Sequence, residues 1–373
     1  MIKYKLGDVA NVISVRVDNP ASCDYKRFVG LEHYVSGDIE IKKYGDTSLL
    51  KSAMKVFKSG DILVARRNVY LRRASIVKFD GITSGDSIVL RVDNELLRNI
   101  IPFILNTDEF WNYAEKFSDG TMSKRLSPKV LLEYEFFLPE VDKQEELSKL
   151  LWAANDTKDA YMRLLFLTDE LVKSQFIETF GDPISNDKGW PTELLKKVAP
   201  ITAPDIKKEE FVWWLNLDMI ESNSGYLIEK VIVPLSDVGS STSTFDNTMV
   251  LYSKLRPYLN KVFIPDDEGF ATTELVGMKP DVTKLNKVFL AFLLRSDHFV
   301  HFANSLSGGA QMPRMPMKAL REFNCILPPL ELQEGFVELT KQAEKAKSDL
   351  KQNVSNLEST IKVLMSKNFS GVV

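Results

Sequence analysis

The chain has 373 residues, 44% of them apolar, with 48 Lys and Arg against 51 Asp and Glu. At roughly 150 residues per domain this composition predicts two or three packed domains and excludes a disordered or fibrous protein. A net charge of −3 gives no overall attraction for polyanions, so any nucleic-acid site has to come from local segregation of charge.

The longest apolar run, Val288 to Leu294, is far short of the roughly 20 residues of a bilayer span, and the N-terminal MIKYKLGDVANV has no secretory core. A soluble, cytoplasmic protein without membrane contact is expected. Cys23 and Cys325 are far apart and in apolar surroundings, and read as reduced core thiols rather than a disulfide or zinc framework.

An internal repeat organises the sequence at an offset of about 188 residues. Leu6-Gly7-Asp8-Val9-Ala10 answers to Leu195-Lys196-Lys197-Val198-Ala199. Asp61 to Arg66, leading to Tyr70-Leu71, matches Met249 to Lys254, leading to Tyr258-Leu259, and Gly120 falls opposite Gly309. Phe137-Leu138-Pro139 with Gln144 matches Ile326-Leu327-Pro328 with Gln333. A period this long signals a duplicated domain and two similar binding surfaces related by a pseudo-two-fold axis.

Residues 1–141 mix short β-branched and aromatic runs with turn residues and a few helical stretches, and predict a globular α+β domain. Residues 142–181 then carry apolar positions at three- and four-residue spacing through Leu147, Leu150/Leu151, Ala154, Lys158, Tyr161, Leu164/Leu165, Thr168, Leu171/Val172 and Phe176. Gly181-Asp182-Pro183 is the stop signal, and 182–193 is a polar linker broken by Gly189 and Pro191. Residues 194–330 form the second α+β domain. In 331–368 the stripe returns through Phe336, Leu339/Thr340, Ala343, Ala346/Lys347, Leu350, Val354, Leu357, Ile361 and Leu364. Such a stripe serves either a helix laid on one globular core or two helices paired as a spacer; the second reading is preferred. At about 1.5 Å per residue the first helix is about 58 Å long, roughly the contour of 17 base pairs.

Charge is strongly segregated in the first domain, where Lys51 to Arg91 holds nine basic residues against three acidic ones. Arg66, Arg67, Tyr70, Arg72 and Arg73 combine guanidinium forks for phosphates or guanine edges with an aromatic face. The second-repeat counterpart, Lys254, Arg256, Tyr258, Asn260 and Lys261, lies in a run with no acid. One basic run is ordinarily a solvated face, but its recurrence at the same place in both repeats favours a site. The loops Ser118 to Arg125 and Ser307 to Arg314 also correspond and add Lys124 and Arg125 to one candidate surface, Gln311 and Arg314 to the other.

Catalytic motifs are scarce. No dinucleotide fingerprint, P-loop, H-E-x-x-H or G-x-S-x-G occurs, and neither Asn19-Pro20-Ala21 nor Asp182-Pro183-Ile184 is a methyltransferase target-base motif. Glu40-Ile41-Lys42 has the E-x-K spacing of metal-dependent nucleases, with Asp18 or Asp24 upstream, but the repeat lacks it. His298 and His301 have metal-pair spacing without an evident third ligand, and His33 stands alone. A single-chain modification enzyme or nuclease is therefore disfavoured; a duplicated protein- or glycan-binding module on a helical stalk is the other alternative.

The order of these segments resembles the specificity (S) subunit of type I restriction-modification systems. The resemblance rests on Val29-Gly30-Leu31-Glu32, Trp214-Leu215-Asn216-Leu217-Asp218, Lys254 to Lys261, Leu327-Pro328-Pro329-Leu330 with Gln333, and Phe180-Gly181-Asp182-Pro183 before a Trp-bearing linker. It implies two tandem target-recognition domains, each followed by a long helix, the helices pairing as an antiparallel coiled-coil spacer. It implies a non-catalytic chain in which each domain reads half of a bipartite site in double-stranded DNA. It implies two modification subunits as partners and, through them, restriction subunits. No cofactor is expected in this chain; S-adenosylmethionine, Mg and ATP would belong to the partners. One departure is noted: Leu138-Pro139-Glu140-Val141 lacks the second proline of Pro328-Pro329, which is expected to alter the start of the first helix slightly.

Overall fold

The computed structural model describes residues 1–121, 123–207, 209–309 and 311–369. Met122 and Ala310, which fall within the two loops singled out above, lie outside the described residues. The chain divides into two compact units, one of Met1–Arg163 with the segment from Leu350 on, the other of Leu164–Asp349.

In the first unit, Ile62–Ala65 is a central strand, paired antiparallel with Ser87–Arg91 on one side and Ala74–Ile76 on the other. All four of its residues are buried because both faces of the sheet are covered. Alternation sends Ile62 and Val64 into a core shared with the helices Glu95–Ile104 and Asp108–Phe117, and Leu63 and Ala65 into a second core with Val29, Tyr34 and Phe57. A second, five-stranded sheet contains the parallel pair Arg27–Val29 with Gly81–Thr83.

The second unit repeats this connectivity. Val250–Ser253 pairs with Val262–Phe263 and Leu275–Met278, and Phe211–Leu215 runs parallel to Gly269–Thr272. Again one face, Val250 and Tyr252, joins the helical core while the other, Leu251 with Phe263, packs on Trp213 and Phe245. The helices that back the sheets begin on equivalent caps: Thr107 Oγ1 accepts the Phe110 N–H at 3.2 Å, and Ser296 Oγ accepts the Phe299 N–H at 3.2 Å. One difference stands out at the sheet edge, where the strand Asn11–Ile13 is replaced in the second unit by a single bridge from Ile201 to Met278.

The two long helices span Val141–Phe180 and Leu330–Phe369. The first ends where the sequence signals it: Gly181 has φ of 74°, and its N–H is bonded to the Ile177 carbonyl at 2.8 Å. In the first unit Leu147 and Leu151, near the start of one helix, share a core with Ile361, Met365 and Phe369, at the end of the other. In the second unit the order is reversed, and the Phe176 and Phe180 rings lie 5.4 and 5.6 Å from that of Phe336. The helices therefore pair antiparallel within each unit and at the same time rest on that unit's globular core, so the two readings of the stripe are both satisfied. Where the stripe offered adjacent residues in the first helix, the second turns inward: Leu151 and Val172 are buried, while Leu150 and Leu171 are exposed.

The missing second proline does not alter the helix start. The N–H groups of Lys143 and Gln144 bond to the Glu140 carbonyl at 2.9 and 3.2 Å, and those of Leu332 and Gln333 bond to Pro329 at 3.0 and 3.2 Å. A residue at this place must offer its carbonyl, and glutamate does so as well as proline. Cys325 is buried, but Cys23 is only partly so, its thiol donating to the Pro20 carbonyl at 3.1 Å.

Candidate nucleic-acid interface

The basic run of the first unit is the loop joining two paired strands, Ile62–Ala65 and Ala74–Ile76. Its shape is set by two left-handed corners, Asn68 at φ 55° and Arg72 at φ 49°, enclosing the short 3-10 turn Val69–Leu71. The second unit builds the same loop from Arg256 at φ 50° and Asn260 at φ 49° around Pro257–Leu259. In each the aromatic at the middle of the turn faces outward, Tyr70 57% and Tyr258 50% exposed, whereas Val69 and Pro257 point into the unit.

A second loop is strapped onto each of these through main-chain hydrogen bonds. The Asn68 N–H donates to the Lys124 carbonyl at 3.0 Å and the Leu126 N–H to Arg66 at 2.8 Å. In the second unit Arg256 N–H donates to Pro313 at 2.7 Å and Met315 N–H to Lys254 at 2.9 Å. The strap is tight enough to require Gly120 and Gly309, with φ of 96° and 103°; an added Cβ would stand 3.2 Å from the Ser123 carbonyl oxygen and 3.1 Å from that of Met312.

An acid beneath each loop pair holds its arginines. Arg125 donates to Asp86 Oδ1 at 3.0 Å and Arg67 stands 3.9 Å from the same carboxylate. Arg314 donates through Nε and Nη2 to Glu274 at 3.2 and 3.0 Å, which raises its affinity for the proton further. Main-chain bonds run in parallel, Arg66 N–H to Asp86 at 2.9 Å and Lys254 N–H to Glu274 at 3.0 Å. Neither acid was singled out in the sequence, although Asp86 and Glu274 are related by the same offset that relates the loops.

The structure thus brings Arg66, Arg67, Tyr70, Arg72 and Arg73 together with Lys124 and Arg125, and Lys254, Arg256 and Tyr258 together with Arg314. Gln311 lies exposed between the bridge residues Gly308 and Arg314. Arg72 is turned toward Asp108 at the start of the adjacent helix, with Glu115 4.0 Å away.

Other candidates face inward. Arg73 donates to the Leu31 and Arg67 carbonyls, both at 3.1 Å, and burial pulls its guanidinium below the usual range. Lys124 Nζ donates to the Glu115 carbonyl at 2.8 Å and Lys261 Nζ to that of Leu217 at 2.6 Å. Asn260 is buried, its amide donating to the Arg295 carbonyl at 2.9 Å. These four groups hold the loops in shape. Arg66 Nε and Arg256 Nε are enclosed without a hydrogen-bond partner among the described residues.

The E-x-K residues are not brought to one site. Glu40 pairs with Lys78 at 2.5 Å and Lys42 with Asp159 at 2.5 Å, so the E-x-K residues point to different partners. Among the described residues no group of three or more His, Cys, Asp or Glu could hold a metal ion, and no helix is long and apolar enough to cross a membrane.

No family model matches the chain. It is 24% identical over 330 residues to the type I restriction enzyme EcoDI specificity subunit of Escherichia coli, an alignment covering 86% of this chain and 72% of the relative. The chain is similar to type I specificity subunits. Among solved structures, the S subunit of a type I restriction-modification system from M. genitalium superposes with a TM-score of 0.59 at 13% identity, over 100% of this chain and 96% of that one. A chain solved in work on complex assembly and conformational transition of the type I R-M system gives 0.56 at 17% identity, over 98% and 96%. These two likenesses concern the fold, and they bear out tandem α/β domains with long helices. The curated match is named as the specificity subunit of a type I restriction enzyme.

Proposed function

We propose that this chain reads a bipartite sequence in duplex DNA, one half-site with each globular domain, as part of a type I restriction-modification complex. The observation that carries the reading is the duplication of one surface: a basic loop with an outward tyrosine, strapped to a second loop and underlain by an acid, built twice from different side chains. Arg67, Tyr70, Arg72 and Arg125 face one half-site; Lys254, Tyr258, Gln311 and Arg314 face the other. Arginine forks suit guanine edges and phosphates, and the exposed rings suit sugar or base contact. The different residues in equivalent places give two different half-site sequences. Arg73, Lys124, Asn260 and Lys261 set loop shape.

The domains are taken as 1–141 and 194–330, the spacer helices as 142–181 and 331–368, and the linker as 182–193. Two modest half-site affinities add only when both domains engage at once, so the helices select the unspecified gap. Modification subunits dock on the helices, and Leu164, Leu167 and Leu171 supply an outward apolar stripe at helical spacing, 46%, 47% and 55% exposed. Those subunits, with S-adenosylmethionine, and the restriction subunits, with Mg and ATP, carry the chemistry, in the cytoplasm.

The test is co-expression with the modification subunit encoded beside this chain, followed by single-base mapping of methylated adenines. A two-part motif with a fixed gap, lost when the chain is omitted, is expected. Methylation that is unchanged without the chain overturns the reading.

A further inference from the structure

Each long helix carries a lysine in its inward stripe, and the two are repeat partners, Lys158 and Lys347. Lys347 is 5% exposed. Its ammonium donates to Asp169 on the other long helix, to Glu344 one turn back at 3.1 Å, and to the Tyr226 hydroxyl, and it stands 4.7 Å from the Tyr226 ring centre. One charged group therefore ties three segments of the second unit together. Burial alone would weaken its hold on the proton, but the bonds to Asp169 and Tyr226 more than reverse this.

The first unit has the same node with different members. Asp38 takes the place of Tyr226, each following a glycine with positive φ, Gly37 at 80° and Gly225 at 67°. Lys158, its side chain 12% exposed, stands 4.0 Å from Asp38. Burial raises the proton affinity of the Asp38 carboxyl, Lys42 and Lys158 oppose this, and Glu358 on the second long helix, the repeat partner of Asp169, adds to it. Buried Asn155 replaces Glu344 and donates to Asp159 at 3.3 Å, and Asp159 accepts Lys42 from the globular part.

A leucine or methionine in either place would contribute apolar burial without the cost of desolvating an ammonium, so stability does not explain a lysine there. What a buried lysine adds is selectivity of pairing, because only one alignment supplies its partners. We propose that Lys347 and Lys158 are the register pins of the helix pair, each admitting only the axial alignment in which its ammonium meets the domain's acceptor, Tyr226 or Asp38, with Lys347 also engaging Asp169 of the opposite helix. Sliding one helix by a turn, about 5.4 Å, leaves Lys347 enclosed without its cross-helix acid. The pins thereby become determinants of the gap between half-sites, a consequence that rests on the function proposed above.

The experiment uses the full chain with Cys23→Ser and nitroxide labels on Glu178→Cys and Asp349→Cys, exposed positions of the two helices in the second unit whose separation runs mainly along the helix axes. Wild type should give one narrow distance distribution by double electron–electron resonance. Lys347→Met with Lys158→Met should broaden it or add a population shifted by up to about 5 Å, one helical turn, and Lys347→Arg should restore the single peak. Should the double variant fail to fold, Asp169→Asn removes only the cross-helix partner and is read the same way. A single peak at the wild-type distance in the variants overturns the proposal. Adenine methylation mapped for the same variants separates the two claims: a register shift with altered gap length supports both, and a register shift with no methylation by any form, wild type included, sinks the functional reading while the pins stand.

Discussion

Asn68 and Arg256 occupy equivalent left-handed corners in the two repeats, at φ 55° and 50°, and each donates its N–H to the strap of its own unit. Asparagine tolerates that conformation, whereas an arginine held there carries strain of roughly 1–2 kcal/mol. Arg256→Gly should therefore raise the thermal unfolding midpoint, while Arg256→Val lowers it. The same Gly variant should weaken recognition at the second half-site only, as read by binding of the assembled complex to duplexes altered in one half-site at a time. Equal loss at both half-sites would show that the Arg256 corner does not shape the second interface.

Asp86 holds Arg67 and Arg125 in the unbound protein through partly exposed ion pairs, each worth at most about 1 kcal/mol. Phosphates can displace it at little cost. Asp86→Ala should free both arginines, raising affinity for unrelated duplex and steepening its salt dependence, while selectivity for the target falls. Arg125→Ala should cost about 1–3 kcal/mol at one half-site if it reads a base, or lower the salt slope by about one if it sits on phosphate. Titrations of the complex at several salt concentrations distinguish these outcomes, and identical curves for Arg125→Ala and wild type would exclude the residue.

Gln144 and Gln333 close equivalent junctions between the last strand and the long helix, donating to Pro139 at 2.9 Å and Pro328 at 2.8 Å. Gln333 also accepts from the Asn286 N–H at 2.9 Å and donates to Lys284 at 3.0 Å. Both amides are buried, so their loss leaves main-chain groups without partners. Gln333→Leu should destabilise the chain by about 2 kcal/mol or more, at about 1–3 kcal/mol per orphaned group. Denaturant titration measures this, and a cost under about 0.5 kcal/mol would contradict the junction's role.

Leu164, Leu167 and Leu171 face away from the buried Val172 and Phe176 of the same helix. Replacing all three with lysine should leave the unfolding midpoint within a few degrees and abolish co-purification with the modification subunit. Retention of an intact complex by the triple variant would move the docking surface elsewhere.

The repeat, the helix ends and the α+β texture could all be read from residue types, because each depends on neighbours in sequence. Gly181 stops a helix by its own backbone freedom, and the apolar spacing of Phe176 and Phe336 is visible without knowing what they meet. The division of the basic residues was not legible. Lys261 and Tyr258 lie three residues apart in one run, yet Lys261 caps the Leu217 carbonyl while Tyr258 stands exposed, since a loop's inner and outer sides depend on which distant carbonyls lie under it. Asp86 and Glu274 escaped notice for the same reason, their partners being 39 and 40 positions away. The lysines at 158 and 347 were read as stripe members, which they are, but composition could not show that Asp38 stands by the first and Asp169 of the opposite helix by the second.

The first unit is made from two segments far apart in sequence: Leu147 and Leu151 pack with Ile361, Met365 and Phe369. During synthesis the amino-terminal domain therefore emerges first and is completed last. At roughly 5–20 residues per second, it stands with part of its apolar surface uncovered for some ten seconds or more, while the second unit passes through the ribosome. The final turns of that helix act as a seal that arrives only after the second unit has been made, so a chain that stops short of Ile361 leaves the first unit open.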